Sequence, residues 1–208
     1  MTGVHVDRSC DGQYLTHMVF WKEATSLEAF TQQLNVRTTW DRLPLPLQEV
    51  AVLQQVAEDM KARQANGSPG SSRSAGGQSG VVALLVGSSG TVKTMAAEVL
   101  ATELGRPLYR IDLAAVRSQY IGETEKNLSR VFDEAERVQA ILFFDEADAL
   151  FGGRTDAKDP QDRYANLDVA YLVQRLESFG GLAILATNSK THLDKAFLRR
   201  IRYIINTP

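Results

Sequence analysis

The sequence predicts an α/β domain built on a doubly wound, five-stranded parallel sheet, with a helical appendage ahead of it. Three observations carry that expectation. Five short apolar runs recur between Val81 and Asn206. Longer segments with helical spacing separate them. Glycine, acidic and amide residues gather just after the runs, at the strand ends where ligands of such sheets bind.

In chain order, residues 1–38 form an N-terminal appendage. It holds an apolar patch (Tyr14, Leu15, Met18, Val19, Phe20, Trp21), and Ser26 caps a short helix through Phe30. Residues 39–65 are a lead-in segment and first helix. Pro44 and Pro46 mark a turn, after which Leu47, Val50, Ala51, Val56, Ala57 and Met60 recur at helical spacing, giving a helix of about five turns. Residues 66–80 hold five glycines, five serines and one proline, the composition of a flexible loop. Residues 81–208 are the core. Its expected strands are Val81–Val86, Leu108–Ile111, Ala140–Phe144, Leu182–Ala186 and Tyr203–Asn206, and its helices Lys93–Leu104, Glu123–Val138 and Arg163–Phe179. No internal repeat is present.

Composition excludes several classes. The 208 residues are 44% hydrophobic and 23% charged, ordinary for a folded soluble chain. A net charge of −2 argues against a protein built around a polyanion, so no nucleic acid partner is expected, although it leaves room for a local basic strip. The single cysteine, Cys10, precludes an intrachain disulfide and a cysteine-rich zinc site. His5, Cys10 and His17 are too scattered for a metal motif. No apolar run is long enough to span a membrane, and the polar start is no signal peptide, so a reducing, cytoplasmic setting is expected.

The chemistry lies at the strand ends. After the first strand comes Gly87-Ser88-Ser89-Gly90-Thr91-Val92-Lys93-Thr94. It fits the phosphate-loop pattern G-x-x-x-x-G-K-[ST] except that Val92 replaces the second glycine. Backbone N–H groups there would cradle phosphate, Lys93 would add charge, and Thr94 would hold Mg²⁺. Val92 leaves two alternatives. If its position needs a positive φ, strain costs on the order of 1–2 kcal/mol or more. If φ is negative, the cost is crowding alone. The third strand ends in Asp145-Glu146-Ala147-Asp148. Two carboxylates at an apolar strand tip suit a metal ligand beside a water-polarising base. The fourth ends in Thr187-Asn188, whose amide can reach a γ-phosphate or attacking water. Arg199, Arg200 and Arg202 crowd one short segment, either as phosphate contacts or as a solvated helix end.

In order and spacing, these segments resemble the AAA+ ATPase family, over Trp40 to Pro208. Thr39-Trp40-Asp41 is similar to the family's opening segment. Tyr109–Leu113, Tyr120–Leu128 and Arg163–Asn166 look like the bacterial AAA ATPases encoded with phage-tail-like contractile injection systems. The resemblance implies a Walker A segment, Gly87 through Thr94, with Ser88, Ser89, Gly90, Thr91, Val92, Lys93 and the following Met95 around the nucleotide. It implies a Walker B pair, with Asp145 and Thr94 on Mg²⁺ and Glu146 activating water, and a sensor at Asn188. Arg202 and Arg199 match arginine fingers for a neighbouring subunit, whereas a further finger position falls on Ile205, which cannot serve. Tyr120-Ile121-Gly122 matches a pore loop that grips polypeptide. The implied activity is Mg²⁺-dependent ATP hydrolysis by a homohexameric ring that remodels a protein substrate, weakened by Val92. The resemblance also implies a helical lid after the last strand, which is absent from this sequence. Two rival readings remain: a nucleotide-insensitive AAA-like scaffold for a protein partner, and a helicase suggested by Asp145-Glu146-Ala147-Asp148 but opposed by the missing Ser-Ala-Thr motif.

Overall fold

The computed structural model describes residues 30–66, 80–88, 90–112, 116, 122–147, 170–188, 193, 195–199 and 201–208. Six strands form one sheet: β1 (Thr31–Leu34), β2 (Val81–Val86), β3 (Leu108–Ile111), β4 (Ile141–Phe144), β5 (Leu182–Thr187) and β6 (Tyr203–Asn206). Their spatial order is β1-β3-β4-β5-β2-β6. The five expected strands pair in parallel, and β1 adds an antiparallel edge against β3. The helices are α1 (Leu47–Asn66), α2 (Thr91–Leu104), α3 (Glu123–Arg137), α4 (170–178) and the short α5 (Lys195–Leu198).

Strands β4 and β5 are buried at every residue, as continuous apolar runs in a sheet covered on both faces must be. Alternate side chains feed two cores. Leu142, Phe144, Ala183 and Leu185 meet α3 and α4 through Leu128, Phe132, Leu172 and Leu176. Phe132 stacks on Phe144 at 6.0 Å and meets Phe179 edge-on at 5.3 Å. On the other face, Ile141, Phe143, Leu182 and Ile184 meet α1 and α2 through Leu53, Met60, Ala97 and Leu100.

Element limits moved by one or two residues. Strand β4 omits Ala140, β5 gains Thr187, α2 begins at Thr91 rather than Lys93, and α3 ends at Arg137. Of the helix expected over Arg163–Phe179, residues 170–178 are described and helical. The apolar patch at Tyr14–Trp21 and most of the Gly/Ser loop lie outside the described residues. So does the Ser26 helix, except Phe30, which is a turn residue. Residues 30–38 of the appendage are described, and they add a sixth strand, β1, to the five expected. Gln32 and Gln33 are exposed, so Thr31–Leu34 carries no apolar alternation to announce itself. Polar edge strands of this kind resist further pairing.

Two devices fix the N-terminal elements to the core. Segment 35–43 lies across α2: Thr38 donates its hydroxyl to Glu98, Thr102 donates to the Thr38 carbonyl at 3.1 Å, and the Trp40 indole donates to Glu103 at 3.1 Å. Helix α1 is clasped to β6. The Tyr203 hydroxyl donates to Asp59 at 2.5 Å, and Arg202 reaches the same carboxylate at 2.7 Å while lying over the Tyr203 ring. At the other end of α1, Glu49 accepts the backbone and side-chain N–H groups of Asn206 at 3.0 and 3.1 Å.

Burial and the Asp59 carboxylate push the Tyr203 hydroxyl up to about 12. A raised folded-state pKa gives stability that is complete below the free tyrosine value near 10 and is lost as pH rises through about 12. We expect denaturant stability to fall across that alkaline window, and Tyr203→Phe to remove this part of the fall. At neutral pH the same variant should lose roughly 1.5 kcal/mol, a hydrogen bond to a charged acceptor. Parallel urea titrations at pH 8 and 11 check both; an identical alkaline loss in Tyr203→Phe would contradict the assignment.

Candidate functional site

The strand order creates a crevice. The chain leaving β2 passes through α2 toward β3, while the chain leaving β5 crosses to β6 on the other side of β2. Between the carboxyl ends of β2 and β5 the two paths diverge, which is where open α/β sheets hold ligands.

The loop after β2 enters this crevice. Gly87 donates its N–H to the Thr187 carbonyl at 3.2 Å, and the preceding Val86 carbonyl accepts from the Thr207 N–H at 2.6 Å. A Cβ on Gly87 would lie 1.9 Å from Thr207 Oγ1 and 2.4 Å from the Thr207 carbonyl oxygen. Glycine here is thus a packing requirement against the end of β6. Ser88 donates to the Pro208 carbonyl at 2.9 Å, and Ser89 lies outside the described residues. Gly90, in extended backbone, caps α2. Thr91, Val92, Lys93 and Thr94 therefore form the first helical turn, whose backbone N–H groups have no intrahelical partner. Val92 is helical and half-buried, and is not among the described residues with positive φ. The strained alternative for Val92 is removed, leaving crowding alone. Met95 is half-buried against the α1–α2 core.

Lys93 is the centre of the arrangement. It is only 5% exposed. Its Nζ donates to Asn188 Oδ1 at 2.7 Å, to the carbonyls of Gly87 at 2.9 Å and Ser88 at 3.2 Å, and lies 3.4 Å from that of Thr187. Two residues 95 positions apart thus meet across the crevice. All these partners are neutral oxygens. Among the described residues no carboxylate is within ion-pair distance of Lys93. A buried cation with no opposite charge among the described residues favours an incoming anion.

Along the same rim, two strand spacings or about 10 Å from β2, β4 ends in the acid pair. Asp145 accepts the Glu146 N–H on Oδ1 at 3.0 Å, and its Oδ2 lies 3.8 Å from Arg110 Nε. Glu146 is exposed and has φ of 53°, a left-handed conformation uncommon outside glycine. That kink lets the Ala147 N–H reach the Ala186 carbonyl of β5 at 2.8 Å and buries Ala147 completely. Strain at a polar residue in a crevice is where function is sought first. Thr94 is half-buried in the first turn of α2. A threonine hydroxyl and a carboxylate are hard oxygen donors, and one or two of these beside phosphate oxygens is the usual protein share of a Mg²⁺ site. Among the described residues no group of three His, Cys, Asp or Glu is placed to hold a metal by itself.

The arginines lie elsewhere. Arg199 is exposed at the end of α5. Arg202 precedes β6, whose Tyr203 pairs with Ala83, so it lies about 16 Å along the strand direction from Gly87 and is joined to Asp59. Tyr120 and Ile121 fall outside the described residues; Gly122, with φ of 77°, turns the chain into α3. Sequence reasoning gave no role to Arg110, Thr187 or Thr207. Arg110 had a signal, as a cation inside an otherwise apolar strand; Thr207 had none, since its part is played by backbone.

Among the described residues no helix is long and apolar enough to cross a membrane. The family model for the ATPase family associated with various cellular activities (AAA) matches residues 83–208. Among similar curated proteins, an uncharacterized AAA family ATPase, y4kL, of Sinorhizobium fredii is 37% identical over 124 residues, covering 59% of this chain and 37% of that protein. Cell division protein C of Sulfolobus acidocaldarius is 34% identical over 128 residues, 57% of this chain and 34% of that one. Human spastin is 34% identical over 121 residues, 56% of this chain and 20% of its own. The chain therefore spans little more than a third of these relatives, or less.

From the loop geometry, Gly87→Ala should force the end of β6 away and cost about 1–3 kcal/mol. Trimming Thr207 to alanine should not rescue it, because the backbone oxygen of Thr207 blocks the site as well as the hydroxyl. Chemical denaturation of the single and double variants measures this, and full rescue would refute the packing argument.

Proposed function

Because the chain belongs to the AAA family of ATPases, we propose that it binds ATP with Mg²⁺ in the β2–β5 crevice and hydrolyses the terminal phosphate. The observation that supports this most is buried Lys93, which ends among neutral oxygens at a helix N-terminus.

The chain's own residues divide the work. The N–H groups of Gly87–Thr94 bind phosphate oxygens. Lys93 shifts from carbonyl oxygens to the β- and γ-phosphates, and Asn188, already in contact with it, orients the γ-phosphate or the attacking water. Glu146 orients and polarises that water for in-line attack, with ADP as the leaving group. When bound, Mg²⁺ would be held by Thr94 and Asp145 and would neutralise charge on the β- and γ-oxygens.

Arg202 lies too far along the sheet to serve its own loop, so it or the exposed Arg199 acts on the nucleotide of another copy. This supports a ring of copies, six by resemblance to the family. Tyr120 and Ile121 would engage a protein substrate in its centre. The narrower assignment, to ATPases encoded with contractile injection systems, rests on the segments Tyr109–Leu113, Tyr120–Leu128 and Arg163–Asn166 alone. A cytoplasmic setting belongs to the same proposal.

Calorimetry with ATP and ADP, with Mg²⁺, tests the reading. We expect measurable affinity, weakened at least about tenfold in Lys93→Ala, a loss of some 1.4 kcal/mol. Val92→Gly should stay within about fivefold of the parent, because the valine backbone is unstrained. Glu146→Gln should keep binding and lose turnover by about 10²–10⁴-fold. No binding by the parent or by Val92→Gly would overturn the ATPase reading and leave the partner-binding scaffold.

A further inference from the structure

Arg110 has no place in the division of work above. Its neighbours in β3, Leu108, Tyr109 and Ile111, are apolar or aromatic. By alternation it shares a face with Leu108, which is buried in the α1–α2 core, but it lies nearer the carboxyl rim, where its side chain is half exposed. Strand β3 runs parallel to β4 with Arg110 opposite Phe143. Two residues beyond Phe143, in the turn that follows β4, is Asp145. Arg110 Nε lies 3.8 Å from Asp145 Oδ2, while the Glu146 N–H occupies the other oxygen at 3.0 Å. On its other side the edge strand sets Gln32 opposite Arg110.

We propose that Arg110 is a positioning residue for Asp145 that sets the divalent-cation affinity of the crevice. Its guanidinium holds the carboxylate in place while no cation is bound, and its charge opposes the cation's arrival. This rests on the reading of Asp145 as a metal-binding carboxylate. Two positive charges compete for one carboxylate, so removing the fixed one favours the mobile one. A half-exposed ion pair at this distance is weak, as a contact that must yield to a ligand has to be.

The probe is Mn²⁺ with saturating ADP, followed by electron paramagnetic resonance, with the parent chain, Arg110→Gln, Arg110→Lys and Asp145→Asn. Arg110→Gln should tighten Mn²⁺ by about two- to fivefold. Arg110→Lys, which keeps the charge, should resemble the parent. In an Asp145→Asn background Arg110→Gln should have no effect. Unchanged or weaker Mn²⁺ binding in Arg110→Gln, an effect that persists without Asp145, or no Mn²⁺ binding by any variant would each overturn the proposal. ADP calorimetry on the same proteins, with Mg²⁺ and with chelator, separates this from the nucleotide reading. ADP that binds with chelator present while the Mn²⁺ affinity ignores Arg110 would overturn this proposal alone, and no ADP binding by any of the proteins would overturn the nucleotide reading.

Discussion

Lys93 carries its charge into the crevice between β2 and β5, where, among the described residues, neutral oxygens receive it. Burying a lone ammonium is costly, and three converging acceptors lower that cost without cancelling the charge. The acceptors come from two parts of the architecture. Gly87 and Ser88 come from the loop after β2, and Asn188 from the end of β5. Holding them within hydrogen-bond distance of one nitrogen requires β2 and β5 to run parallel and in register, from Val81–Leu182 to Val86–Thr187. The sheet order and this lysine are two descriptions of one constraint.

The rest of the structure keeps that constraint rigid. The rim is tied strand to strand by single backbone bonds: Ala147 to Ala186, Gly87 to Thr187, and Thr207 to Val86. Behind the rim, α2 is held from outside by Thr38 and Trp40, so the helix that carries Lys93 and Thr94 has little freedom to slide. Helix α1, clasped to β6 through Asp59 and Glu49, closes the same layer. On the proposed reading, the loop that meets a polyanion is thereby mounted on elements tied to one another by their own hydrogen bonds.

Legibility in the sequence followed hydrophobic contrast. The runs Val81–Val86 and Ile141–Phe144 were plain because both faces of a central strand are buried. Thr31–Leu34 was hidden because its polar doublet is exposed and its pairing is long-range, with residues 108–111. Lys93, Thr94, Asp145, Glu146 and Asn188 were singled out as candidates by type and spacing, and the fold sets them along one rim of the sheet. Arg110, Thr187 and Thr207 were missed for a common reason: they act on a neighbour, two of them through backbone, and a linear sequence does not show which strand ends lie side by side. The question raised by Val92 needed a dihedral region, which no residue type supplies.

Glu146 has a consequence of another kind. At φ of 53°, an L-residue gives up roughly 1–2 kcal/mol that glycine would keep, and asparagine would give up less. Stability alone would therefore place glycine or asparagine between Asp145 and Ala147. On the proposed reading of Glu146 as the water-polarising base, a glutamate held there sets folding against chemistry at one position. Drift toward a more robust fold would delete the carboxylate first, so a copy of this domain released from its chemical task should become harder to unfold as it falls silent.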